Sequence, residues 1–133
     1  MGLSKEYLSL FLNNRGLAQY HMRIFREAIR DYDEAIECVG GTNPEIFFNR
    51  GNVYLNQNEF IKAHNDFEQA IKLDRNCAKF HHAKGLAFQA EAEDLAKKEL
   101  REMFVEEMLV SKAIECFGDA LICDNGFVSS KFH

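Results

Sequence analysis

Three glycines recur at nearly equal intervals: Gly16, Gly51 and Gly85 stand 35 and 34 residues apart. After the first comes "EAIRDYDEAIE" (Glu27 to Glu37), and after the second "KAHNDFEQAIK" (Lys62 to Lys72). A shift of 35 lays Phe25 on Phe60, Ala28 on Ala63, Tyr32 on Phe67 and Ala35 on Ala70. A third copy, "KAIECFGDALI" (Lys112 to Ile122), holds Ala113, Phe117 and Ala120 at the same internal spacing. Self-similarity at such a period marks stacked supersecondary units, each completing its apolar face only against a neighbour.

The units are helical. The 133 residues contain one proline, and apolar residues recur with the 3.6-residue period rather than alternating. A glycine inside a helix costs roughly 1 kcal/mol relative to alanine, so a recurring one requires a close contact in return. The alanines at a fixed later offset supply it by letting two antiparallel backbones approach. The aromatics Phe25, Tyr32, Phe60, Phe67 and Phe117 then fill the space beside them. Each unit reads as a hairpin of helix A and helix B.

On these residues the chain resembles the tetratricopeptide repeat family, over nearly its whole length. The resemblance implies an all-α, right-handed superhelix of antiparallel hairpins within a single domain (1–133). Repeats are expected at 9–42, 44–77 and 78–124. Two departures stand out: Gln19 replaces the tyrosine expected three residues after the first glycine, and only the second repeat begins on proline, Pro44.

The resemblance further implies a concave groove, lined by the A helices, that takes a partner's peptide or helix. Carried over by position, its lining is Asn13, Asn14, Leu17 and Tyr20, then Phe48, Asn49 and Asn52, then Lys79, His82 and Leu86. Asn14 and Asn49 share a repeat position, two residues before the glycine. An amide both donates and accepts, so it can grip extended peptide backbone, as asparagine ladders do in some family members. Solvated helix surface is the other reading of these asparagines. The family's co-chaperones use five polar or basic residues to clamp an acidic chaperone tail. Asn49 and Lys79 match that clamp, whereas Asn13, Leu17 and Ala83 do not, so a working clamp is not expected.

Other functions find little support. The net charge of −5 comes with no concentration of Lys and Arg, which argues against nucleic acid. No apolar run is long enough to span a membrane. Cys38, Cys77, Cys116 and Cys123 form no C-x-x-C pair and read as small buried apolar groups of an intracellular (cytoplasmic) protein. The five histidines show no metal-ligand spacing, and there is no nucleophile elbow, phosphate loop or paired catalytic carboxylate. No enzyme, metal or cofactor is expected.

One stretch breaks the period. Gly85 and Ala113 lie 28 residues apart where the earlier glycine–alanine pairs lie 12 apart, so about 16 residues are added within "FQAEAEDLAKKELREMFVEEMLVSK". The stretch lacks turn formers and carries helical apolar spacing. Pairing Gly85 with Ala113 puts a turn near Lys98–Arg101 between two lengthened helices. A turn at Asp94, or one unbroken helix exchanged with a second molecule, are the alternatives. Residues 125–133 align with the start of another A helix or form a tail, and no polar capping helix follows. The array is therefore expected to continue in a longer chain or to be covered by another subunit. In that case the protein would serve as a structural or assembly subunit using its long third hairpin.

Overall fold

The computed structural model describes residues 4–98 and 103–125. They form six helices: α1 (Lys5–His21), α2 (Phe25–Cys38), α3 (Pro44–Asn56), α4 (Phe60–Leu73), α5 (Ala78–Lys97) and α6 (Met103–Asn125). No strand occurs among the described residues. Successive helices pair into three hairpins, α1 with α2, α3 with α4 and α5 with α6, and each hairpin stacks on the next.

Local chemistry sets the boundaries. Ser4 caps α1 by accepting from the Tyr7 amide at 3.3 Å, and Asn43 caps α3 by accepting from Glu45 at 3.0 Å, with Pro44 in the first turn. The two short hairpin turns reverse through a left-handed residue, Arg23 (φ 64°) and Asn58 (φ 58°). Gly40 and Gly41 take positive φ in the link between the first two hairpins.

The recurring glycines meet aromatic rings. A Cβ on Gly16 would lie 2.8 Å from Tyr32, one on Gly51 2.6 Å from Phe67, and one on Gly85 2.8 Å from Phe117. Tyr32 and Phe67 are wholly buried, as are Ala28, Ala35, Ala63 and Ala70 around them. Gly51→Ala therefore sets two effects against each other. Helix propensity favours alanine by about 1 kcal/mol, but the ring of Phe67 has no room to retreat. The expected result is a net loss of about 1–2 kcal/mol in urea unfolding. A variant more stable than the parent would show that the hairpin can open at this point.

The third hairpin is longer than the others, with 20 residues in α5 and 23 in α6 against 13 in α3 and 14 in α4. Gly85 faces Phe117 and the Ala113 carbonyl, which a Cβ would approach to 3.3 Å. Helix α5 passes through Asp94 and closes at Lys97, where the Lys98 amide donates to the Asp94 carbonyl at 3.1 Å. It then packs along α6. Neither the turn at Asp94 nor the unbroken helix is formed: Asp94 lies within α5, and the two helices fold back on each other. Of the expected turn at Lys98–Arg101, only Lys98 falls among the described residues. Residues 126–133 lie outside them, and Asn125, the first residue of the expected fourth segment, belongs to α6.

Candidate functional site

The first helices of the hairpins touch in order, α1 on α3 and α3 on α5, so their side chains share one surface. The expected groove residues fall into distinct settings on it. Asn49 is buried, and its amide nitrogen donates to Oδ1 of Asn13 at 3.0 Å, joining the first two hairpins. Tyr20 accepts at its hydroxyl from Asn56 at 2.8 Å, and the same amide reaches the Asn52 carbonyl at 2.9 Å. Asn14 is exposed. Phe48 is half-buried between the rings of Phe67 and Phe80, with centroids 6.2 and 5.3 Å away. Lys79 lies over Phe48 and pairs with Glu45 at 2.8 Å.

Leu17 and Leu86 project into solvent at 37% and 41% exposure. Leu17 stands three and four residues beyond the adjacent asparagines of α1, on their face of the helix. Leu86 lines a cleft of about 310 Å³ with Leu55, Asn56, Gln89, Ala90 and Glu93, between the end of α3 and the middle of α5. His82 stacks near Phe117, 5.1 Å between ring centroids. Together with Lys79, Ala78, Ala120 and Leu121 these two rings line a larger cleft of about 650 Å³ on the outer end of the third hairpin. The expected residues are thus divided between two surfaces, with Lys79 and His82 at the second.

Charged seams between helices were not anticipated. Arg15 donates twice to Asp31, at 2.7 and 2.9 Å, and Arg50 donates twice to Asp66, at 2.9 and 2.8 Å. Arg50 also reaches back to Asp33 of the preceding hairpin at 2.7 Å. Burial pulls the Arg50 guanidinium down, but its bonds to Asp66 and Asp33 outweigh this and hold it above its ordinary value. Burial likewise lifts the Asp66 carboxyl, against the opposing pull of Arg50. In the third hairpin Lys84 takes the place of the arginine and turns back to Glu68, while Cys116 occupies the aspartate's place. Burial pushes the Cys116 thiol up against the charge of Lys84. The signal for these seams was in the sequence: a base immediately before each recurring glycine, and in two repeats an acid 16 residues later.

Among the described residues no group of His, Cys, Asp or Glu could hold a metal ion, and no helix is long and apolar enough to cross a membrane. The surface offers amides, apolar side chains and clefts, which suit a bound polypeptide.

Residues 44–77 match the family model for the tetratricopeptide repeat. Human tetratricopeptide repeat protein 6 is 36% identical over 67 residues, covering 48% of this chain but 12% of that protein. Among solved structures, the first such domain of Spaghetti (RPAP3) bound to the HSP90 peptide SRMEEVD aligns with a TM-score of 0.63 at 21% identity. That alignment covers 95% of this chain and 87% of that one. The second such domain of human RPAP3, in complex with the HSP70 peptide SGPTIEEVD, aligns at 0.60 and 23% identity over 82% and 97% of the two chains. The domain of Arabidopsis OM64 aligns at 0.60 and 21% identity over 82% and 96%.

Proposed function

We propose that this protein, a tetratricopeptide-repeat chain in fold and in the sequence of its second hairpin, works as a non-enzymatic protein-interaction module. The surface of α1, α3 and α5 takes an extended segment of a partner protein. The observation that carries this reading is the placing of exposed leucines beside asparagine amides: Leu17 follows Asn13 and Asn14 on α1, and Leu86 of α5 shares its cleft with Asn56 of α3. Amides match peptide N–H and C=O groups in any sequence, and the leucine-lined cleft selects an apolar side chain. Asn49 acts through Asn13: the bond between them fixes how the two hairpins present the surface.

Acidic tails such as those bound by the RPAP3 domains are poor candidates. Lys79 is already paired with Glu45, Leu17 stands at a second clamp position, and Ala83, at a third, is buried. The test selects peptides from a displayed random library on the intact chain and measures the best of them by fluorescence anisotropy. Leu17→Asp with Leu86→Asp is expected to weaken such a peptide by at least ~10-fold. Asn14→Ala with Asn49→Ala is expected to weaken it as well. SRMEEVD is expected to bind no better than a scrambled peptide. Unchanged affinity in both double variants would sink the groove reading.

A further inference from the structure

We propose that the segment taken by the groove carries a lysine or arginine beside its apolar side chain, and that Glu93 on the overhanging part of α5 receives that base. This assignment rests on the groove reading above and narrows the partner to one class, an apolar–basic peptide segment.

The overhang creates the place for the base. Helices α1 and α3 end at His21 and Asn56, which hold the same repeat position, 35 residues apart. The next such position is Ala90, 34 residues on, yet α5 continues to Lys97, about two further turns. Those turns give the groove a wall that the first two hairpins lack. Leu86, Ala90 and Glu93 follow one another at spacings of four and three, so they share one face of α5. That face meets Leu55 and Asn56 to form the cleft of about 310 Å³. The cleft is apolar along Leu55, Leu86 and Ala90 and carries a carboxylate at one end.

Three features of charge make that end a seat for a cation. First, Glu93 is exposed and accepts from a neutral donor, the Gln89 amide, at 3.3 Å. Lys98 is taken by Asp94 at 3.0 Å, and Lys97, one turn beyond Glu93, forms no ion pair with it. Glu91, the neighbouring acid of α5, is turned away to His64 at 3.1 Å. Second, the cleft lies at the carboxyl end of α3, where helix carbonyls concentrate negative charge. The last turn of α3 carries no base to offset it, whereas α1 has His21 there. Third, the chain's net charge of −5 draws basic segments and repels acidic ones.

The dimensions suit one short segment. Leu86 and Glu93 are seven residues apart on the helix, about 10 Å. Two residues of extended peptide span about 7 Å, and a lysine or arginine side chain covers the rest. The base therefore stands two positions from the apolar residue, on the same side of the extended segment. Asn56 donates its amide hydrogens to Tyr20 and Asn52, which leaves its Oδ1 to accept from the peptide backbone.

The test uses the intact chain and the peptides selected on it from the displayed random library. A lysine or arginine two positions from a leucine, isoleucine, methionine or phenylalanine is expected to be enriched among them. By fluorescence anisotropy, changing that base to glutamate in the leading peptide is expected to weaken binding at least ~10-fold. Glu93→Lys is expected to reverse the order, so that the glutamate version becomes the better of the two. Glu107→Lys, on α6, alters the net charge equally and is expected to leave the order as it was. A leading peptide that loses affinity with Leu86→Ala, yet binds Glu93→Lys as well as the parent, would overturn the role of Glu93 and leave the groove reading standing. Selection without enrichment of a base would do the same. A leading peptide indifferent to both double variants described above would sink the two together.

Discussion

Replacing Phe67 by alanine is expected to lower stability by about 3–5 kcal/mol. The ring is wholly buried, lies in a cluster with Ala63, Ala83 and Ala87, and fills the space over Gly51. The magnitude follows from what surrounds the ring. Glycine and alanine have no side-chain rotamers with which to fill a void, so the cavity left behind stays close to full size. Against a total of about 5–15 kcal/mol for a domain, such a loss would bring the chain near its unfolding threshold at room temperature. Urea unfolding followed by circular dichroism measures it, and a loss under about 1 kcal/mol would mean the two helices simply close together. A larger residue at Gly51 in the Phe67→Ala background is expected to recover part of the loss, because the two sites share one volume.

Arg50→Ala is expected to cost about 3–5 kcal/mol through a different mechanism. It removes both hydrogen bonds to Asp66, whose side chain is 5% exposed, and the bridge to Asp33 as well. A carboxylate left without a partner at that depth must be buried charged or take up a proton, and either is costly. Arg15→Ala is the internal comparison. Its guanidinium is half exposed, lies over Phe11 and forms an ion pair with Asp31 of its own hairpin alone, so its effect is expected to be clearly smaller. Replacing both partners, Arg50→Met with Asp66→Leu, is expected to restore most of the stability. If Arg50→Ala proved no worse than Arg15→Ala, Asp66 would be finding water or another donor.

The parts of this fold legible in the sequence were those governed by size. Gly16, Gly51 and Gly85, with their alanines and aromatics, announced themselves by period, because close packing tolerates few alternatives at each position. The lengthened third hairpin was legible for the same reason, since Gly85 had to find Ala113. Charge pairing was less visible. Arg15 and Asp31 are separated by a turn, and many bases and acids on two facing helices satisfy the same loose spacing. The candidate surface was legible by position only. That Asn49 would donate to Asn13, and Lys79 to Glu45, depends on rotamers and on the few ångströms by which one hairpin is offset from the next. No residue pattern encodes that offset.

The three-way contact of Arg50 also bears on how the chain comes apart. In a stack of hairpins, stability is a sum of unit terms and nearest-neighbour terms. Here the nearest-neighbour terms differ in kind. The first junction carries Arg50, tied to α2 and α4 at once, together with the Asn13–Asn49 bond. The second carries Lys84 with a half-exposed Glu68, and His64 with Glu91 at 3.1 Å, its ring stacked on Phe88. The second junction also carries Lys79 on Glu45 and the packing of Phe80, Ala83 and Ala87 against α3 and α4, so polar bonds dominate the first junction and apolar packing the second. The third hairpin also leaves Val110, Ile114 and Leu121 of α6 exposed. Whatever holds that end closed adds its binding free energy to the cohesion of the whole array, so heat resistance becomes a reporter of occupancy.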